Sequence, residues 1–554
     1  MLKLTFKNGE TKMVEEGSTL LDIVPEFASA YNAPIVVGVF NGEACDLQYP
    51  LKTDGTVDFI DVNQSEGMRI YVRSLLFLFL VAVKRLYPEV KMEVRNTLGS
   101  ALYCIDNSEK KLTEEDVRHI EAEMRKLIAA KEKIQLKRIC KDDVLREYGC
   151  LCSEDRKSLL CEVDGNIEIS IYYLCGEPGY FFGPMCPDVG YVPNFELIKY
   201  DKGVVINYPD TGNWQVLPPF KDQPRLNEAF HEAEVWSEMI HCNTVGKLNK
   251  IIELGYADKI VQVAEALHEK KIAGIADEIA LRKDKLKLIL IAGPSSSGKT
   301  SFAQRLSIQL AVNGIRPMAI SMDDYYLNRV DTPRKPDGSY DFECIDAIDL
   351  ELFNDHLTRL LRGECVKMPK YNFRSGVREY RGKELQMHEG SVLIVEGIHG
   401  LNDKLTASIP SENKMKIYVS ALTPMSMDEY NRINTTDMRL LRRIVRDAQF
   451  RSHDATATLN LWDNVRYGEE QYIFPFQCSA DVIFNTTLIY EFAVLKKYAQ
   501  PRLEDVTQEA GAAYYSARRL LGLLAHVKEI DDEAIPKNSI LREFIGGSAF
   551  AAEL

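Results

Sequence analysis

Alternating apolar and polar positions open the chain. Residues 2–7 and 11–14 predict two strands joined at Asn8-Gly9, and the apolar periodicity after Ser18 and Thr19 predicts a helix capped by one of them. Residues 35–40 and 56–62 add β-branched strands, with Asn41-Gly42 as a turn. The run 75–83 is almost wholly apolar but only half as long as the ~20 residues that cross a bilayer, and it ends at Lys84-Arg85. A polar helix is expected over 114–137, then short strands with Gly/Pro-rich turns to about 205. From 226 to 282 the apolar positions recur at helical spacing with a break at Gly255, which predicts a helical connector. His231, Glu234 and His241 lie in this stretch without the second half of a metal site.

At 554 residues the chain is too long for one core, since cores seldom grow past about 300 residues. A formal net charge of -14 argues against a broadly basic nucleic-acid surface, though a local basic patch stays compatible with it. The first residues lack a secretion signal and no stretch predicts a membrane span. The expected location is therefore cytoplasmic, with the twelve cysteines reduced. Cys150, Cys152, Cys161, Cys175 and Cys186 crowd one region, but their spacing lacks the paired ligands of a zinc finger, so structural thiols are expected.

The chemistry concentrates in the second half. After the buried-strand pattern of residues 286–292 comes Gly293-Pro294-Ser295-Ser296-Ser297-Gly298-Lys299-Thr300, a complete phosphate-loop motif. Its glycines let the backbone turn its amide hydrogens toward an anion, and the following helix adds free N–H groups and a positive dipole end. Lys299 is expected to reach the β- and γ-phosphates of a nucleotide, and the Thr300 hydroxyl to ligate Mg2+. Two further strands, 315–322 and 391–395, end in Asp323-Asp324 and Glu396-Gly397. In a doubly wound sheet such positions converge on the ligand crevice.

These residues, with Asp341 to Asp349, Pro369-Lys370-Tyr371-Asn372-Phe373, Glu396-Gly397-Ile398 and the arginines 439–451, resemble the uridine kinase/phosphoribulokinase family over residues 285–500. The resemblance implies a parallel-sheet P-loop kinase with a short lid, using ATP and Mg2+. It implies that Asp323 takes the proton of the acceptor hydroxyl, with Asp324 as the adjacent alternative, and that Glu396 organises magnesium. Asp346 matches a position that contacts sugar hydroxyls, although Asp346 or Asp349 could instead cap the next helix. Tyr371 and Phe373 match an aromatic pair beside a nucleobase, or are core residues of a β segment, and Arg378 or Arg381 offers a further polar or anion contact. Arg439, Arg443, Arg446 and Arg451 are expected to meet ATP and its transferring phosphate, while Arg442 is offset and pairs elsewhere.

Residues 1–63 resemble the ubiquitin-like TGS domain at the front of threonyl-tRNA synthetases. Residues 64–224 resemble the editing domain that follows it, on cues such as Lys84-Arg85-Leu86-Tyr87-Pro88 and Gly183-Pro184. At the editing ligands this chain has Arg73, Phe77, Val81, Phe181 and Met185, which lack the imidazole, thiolate or carboxylate that a zinc or a general base needs. The expected architecture is thus multidomain α/β and α+β: a TGS domain (1–63), a degenerate editing-like domain (64–224), a helical connector (225–284) and a P-loop nucleoside kinase domain (285–554). The expected reaction is ATP-dependent phosphorylation of a nucleoside primary hydroxyl, uridine or cytidine first. The alternatives are a sugar, an inositol-like polyol or a vitamin precursor as acceptor, or a nucleotide-controlled RNA-binding module. An RNA or regulatory partner at the N-terminal domains and a homo-oligomer stay open.

Overall fold

The computed structural model describes residues 1–99, 101–147, 153–335, 338–372 and 375–550. At the front, Leu2–Phe6 pairs antiparallel with Thr11–Val14 and parallel with Gly55–Asp61, inside a five-stranded sheet completed by Ile35–Phe40 and Glu43–Cys45. Of the two candidate caps the helix Leu20–Phe27 uses Thr19. The Thr19 hydroxyl accepts the Asp22 N–H, and the Asp22 carboxylate accepts the Thr19 N–H in return.

The apolar run 75–83 lies within α1 (Ser65–Leu86), where Leu75, Leu78, Phe79 and Ala82 are fully buried. It is apolar around its circumference because protein encloses it on every side. Among the described residues no helix is long and apolar enough to cross a membrane.

The helix expected over 114–137 is shorter. It ends at Ala130, where Lys131 turns left-handed at φ 51°, and Gln135–Cys140 is a strand paired antiparallel with Glu168–Leu174. No glycine or proline marks this stop, and the lysines around it are good helix formers, so the pattern carried no signal for it. Only the pairing with a distant strand decides the conformation.

The C-terminal half is built on a five-stranded parallel sheet. Its strands are β1 (Leu288–Ala292), β2 (Arg316–Ser321), β3 (Ser391–Glu396), β4 (Lys414–Ser420) and β5 (Val482–Asn485), in the spatial order β2-β3-β1-β4-β5. Every residue of β1 is buried, as a strand covered on both faces requires. The order reverses beside β1, so the loop after β1 opens into the crevice at the strand ends. Helix α2 (Lys299–Val312) follows β1, α3 (Leu350–Leu361) precedes β3, and α4 (Thr435–Phe450) and α5 (Ala455–Tyr472) lie between β4 and β5. The chain closes with α6 (Ala512–Leu524) and the single turn α7 (Arg542–Ile545). The connector helix Ala257–Leu281 lies along α2, whose Arg305 donates to the connector's Glu265 at 3.4 Å and Glu269 at 2.7 Å.

One carboxylate ties the front of the chain to this half. Asp437, in the first turn of α4, accepts Arg69 of α1 at 3.0 and 3.2 Å and Arg519 of α6 at 2.8 and 3.0 Å. Burial alone would raise its pKa, but the Arg519 and Arg69 guanidiniums hold it well below the usual carboxylate range. Asp437→Asn leaves the two guanidiniums with a neutral amide in its place and only the Glu66 carboxylate, 3.3 Å from Arg519 and 3.7 Å from Arg69, as counter-ion. It is expected to lower the unfolding free energy by about 3–5 kcal/mol, read by denaturant titration at neutral pH; a loss under about 1 kcal/mol would show the pair to be screened by water.

Candidate functional site

The phosphate loop follows β1 directly. A Cβ on Gly293 would lie 1.9 Å from the Val419 carbonyl oxygen, so only glycine fits where the loop leaves the sheet. Gly298, at φ 84°, is the N-cap of α2 and turns the backbone so that the first N–H groups of the helix point out of its end. The buried hydroxyls of Ser296 and Ser297 have no hydrogen-bond partner among the described residues, so a ligand in the loop would supply one. Lys299 donates to the carbonyls of Gly293 at 2.9 Å and Pro294 at 3.1 Å.

Around this amine the strand ends collect carboxylates. Burial lowers the Lys299 pKa, while Glu396, Glu543 and Asp323 act against that. Asp323, in the turn Met322–Tyr325 after β2, keeps accessible surface in the crevice, yet burial raises its pKa and Lys299 only partly offsets this. Its neighbour Asp324 is engaged elsewhere: it lies 3.6 Å from the Lys370 ammonium and accepts the Tyr371 N–H at 3.4 Å. Glu396 ends β3, accepts the Thr300 hydroxyl at 3.1 Å through Oε1, and has a buried Oε2 with no partner. Burial pushes its pKa up to about 7.

The Thr300 hydroxyl and the Glu396 carboxylate, whose buried Oε2 has no partner among the described residues, form a donor pair suited to Mg2+. Such a site takes one or two protein ligands and fills the rest from phosphate and water. Among the described residues no group of three or more His, Cys, Asp and Glu could hold a metal by itself.

On the acceptor side the structure separates the two aspartates. Asp349 is the N-cap of α3 and also accepts Arg378 at 2.8 Å, whereas Asp346 is exposed in the turn Ile345–Ala347 and caps nothing. Tyr371 is only 4% exposed, with its ring 5.6 Å from that of Tyr326 in the core beneath the strand ends. It therefore presents no free ring face for stacking here. Phe373 lies outside the described residues.

The arginines of α4 divide into two sets. The helix is neither a solvated face nor a free flap, because Leu440, Leu441, Ile444 and Val445 bury it in the core. Arg442 pairs with Glu491 and donates to Thr486, and Arg439, 1% exposed, is held by Glu469. Arg439 thus departs from the phosphate-facing position that the resemblance implies. Arg443 donates to the Ser295 hydroxyl at 2.8 Å, and Arg446 and Arg451 lie near enough to act on Asp323. Gly293, Ser295, Lys299, Thr300, Asp323, Glu396, Arg443, Arg446 and Arg451 therefore meet at one crevice, while Arg439, Tyr371 and Arg378 are committed to other partners.

Three residues at this crevice had no motif to announce them. Glu469 of α5 accepts the Ser295 N–H at 2.9 Å while binding Arg439 and Arg466, so it joins the loop to two cations. Glu343 faces Glu469 and Asp323, which together with burial raise its pKa. Glu543 comes from α7, far along the sequence.

The positions that the resemblance matches to editing ligands form no metal-binding cluster among the described residues. Phe77, Val81, Phe181 and Met185 are all buried, the two phenylalanine rings meet edge-on at 5.3 Å, and Arg73 donates to the Pro184 carbonyl. The ten cysteines among the described residues are free thiols; Cys150 and Cys152 fall outside them.

Residues 288–489 match the Phosphoribulokinase / Uridine kinase family. The N-terminal region is homologous to threonine–tRNA ligases: 31% identical to that of Geobacillus kaustophilus over 203 residues, 36% of this chain and 30% of that enzyme, and 29% identical to threonine–tRNA ligase 1 of Bacillus subtilis, covering 31% of it. The chain thus spans under a third of the length of these relatives. Among solved structures, a possible uridine kinase from Bacillus stearothermophilus aligns at 18% identity and TM-score 0.24, covering 38% of this chain and 100% of that one. D-glycerate 3-kinase from Cryptococcus neoformans aligns at 17% and 0.22, covering 46% of this chain and 87% of that one. The chain therefore combines a C-terminal P-loop kinase domain, with a fold suited to nucleotide-dependent phosphotransfer, and an N-terminal region homologous to the TGS and editing domains of threonyl-tRNA synthetases.

Because the Glu396 pKa is raised from 4.5 to about 7, its contribution to stability is complete below pH 4.5 and is lost as pH rises through about 7. In metal-free buffer the unfolding free energy of the parent should therefore fall relative to Glu396→Gln across that window, and millimolar Mg2+ with nucleotide should reduce the difference. Parallel pH–stability curves for the two proteins would contradict this placement of the carboxylate.

Proposed function

We propose that the chain transfers the γ-phosphoryl group of ATP to the primary hydroxyl of a nucleoside, with uridine or cytidine as the leading acceptors. The observation that carries the reading is the meeting of the Lys299 ammonium and the Asp323 carboxylate in one crevice, beside the Thr300–Glu396 pair. The acceptor oxygen attacks the γ-phosphorus in line as the bond to the bridging oxygen breaks. ADP leaves with that electron pair, and the hydroxyl proton passes to Asp323. Burial helps this step, since a carboxylate with a raised pKa is a better proton acceptor near neutral pH. Lys299, Arg443, Arg446 and Arg451 stabilise charge on the phosphoryl oxygens during transfer. Magnesium bound by Thr300 and Glu396 would supply further neutralisation of the phosphates.

A polyol or other sugar-like acceptor is the second reading, and the placement of Tyr371 and Arg378 favours it. A nucleobase gains from an open aromatic face, whereas hydroxyl groups need only acceptors such as Asp323 and Asp346. For residues 1–224 we propose a docking or ligand-sensing role, since the matching editing positions are filled by Phe77, Phe181 and Met185. Incubating the protein with ATP, Mg2+ and a mixed pool of nucleosides and polyols, then identifying the product by mass, separates these readings. A phosphorylated pyrimidine nucleoside supports the first, a phosphorylated polyol the second, and no product with intact nucleotide binding removes both.

Lys299 and Asp323 should fail differently. Asp323→Asn keeps the shape but deletes the proton acceptor, so single-turnover transfer is expected to fall by about 10²–10⁴-fold with ATP affinity retained. Lys299→Ala should damage transfer and also weaken the ATP complex measured by calorimetry. Transfer at the parent rate in Asp323→Asn would move the role to Asp324.

A further inference from the structure

The C-terminal segment has no part in the kinase reading, yet it lies against the phosphate loop. Ile540, Leu541 and Phe544 are fully buried, and the Ile540 Cγ2 methyl is 2.6 Å from where a Cβ on Gly298 would stand. The Arg442 guanidinium covers the Phe544 ring at 5.0 Å, Gln449 donates to the Ile545 carbonyl at 3.0 Å, and Arg542 ties the turn to Asp532 at 2.9 Å. These contacts deliver the Glu543 carboxylate to the start of α2. There Oε2 accepts the Ser301 N–H at 3.2 Å and the Ser301 hydroxyl at 2.8 Å, while Oε1 lies 3.5 Å from Arg446.

Ser301 is the third residue of α2, so its N–H is one of the helix-end donors without an intrahelical partner. Such donors, with the positive end of the helix behind them, are what a phosphate loop offers its ligand. Glu543 uses them as an anion would. Lys299 is folded back onto the loop's own carbonyls, as fits a loop without its phosphate, and the buried Ser296 and Ser297 hydroxyls, which lack a partner among the described residues, stay available to a ligand.

We infer that residues 539–546 are an intramolecular competitor for the nucleotide, with the Glu543 carboxylate standing where a phosphate of ATP binds and leaving when the nucleotide enters. The inference rests on the phosphate-binding reading of the loop. Two anions cannot share the Ser301 donors, and an undisplaced Glu543 would repel the phosphate chain. Once displaced, Ser301 and Arg446 recover equivalent partners from phosphate oxygens. The apparent nucleotide affinity is then the intrinsic affinity reduced by the fraction of molecules with the segment released.

The test uses the full chain and its Glu543→Gln variant, both checked for folding by circular dichroism, with ATP binding measured by calorimetry in Mg2+. Glu543→Gln should bind about tenfold more tightly, the gain expected when a docked state about nine-tenths populated is emptied. In the parent protein, hydrogen exchange over residues 539–546 should quicken on saturation with ATP. Equal or weaker affinity in the variant, or slower exchange in the parent, would overturn the inference alone and make Glu543 a bystander or a nucleotide contact. If neither protein binds ATP at millimolar concentration, the phosphate-binding reading falls, and the inference falls with it.

Discussion

Burial of charge at the carboxyl ends of the parallel sheet is the constraint on which the rest depends. A lysine ammonium removed from water is costly unless opposite charge surrounds it, and Asp323, Glu396 and Glu543 do so from three separate segments. Asp323 and Glu396 are themselves disfavoured by burial and in turn need cations. The requirement therefore spreads outward, through Arg446 to α4 and through Arg439, Arg442 and Asp437 into ion pairs with α5, the helix after β5, and α1 with α6. Several elements of this half hold position because an ion of one satisfies an ion of another.

That arrangement explains which parts could be read from sequence. The phosphate loop was legible because its demands are local: Gly293 has no room for a side chain, Gly298 needs a positive φ, and both stand in an eight-residue motif. Strands β1 and β3 were legible because burial on both faces leaves continuous apolar runs, whereas β4 was not read, since Lys414 and Lys416 interrupt its apolar pattern. By contrast, Arg439 and Arg443 sit on one helix with the same residue type, and their periodicity alone does not separate a buried structural cation from one at the crevice. The difference lies in Glu469, thirty positions from Arg439 and without a motif of its own. Glu543 was illegible for the same reason, since only folding brings α7 to the start of α2. The end of the helix at Ala130 likewise depends on a strand partner more than thirty residues away.

The N-terminal region packs apolar side chains at the positions that the resemblance matches to editing ligands. Phe77 and Phe181 meet in an edge-on aromatic contact, and Met185 is buried in the same core cluster. The Arg73 guanidinium turns to the Pro184 carbonyl. Burial of this apolar surface contributes stability.

The closed aromatic contact also limits what single substitutions can install here. A histidine at position 77 alone would set an imidazole against Phe181 and the apolar core around it, where its ring nitrogens would lack polar partners. A metal-binding cleft at this place would need several coordinated replacements, because each polar side chain introduced singly costs stability before a ligand set is complete.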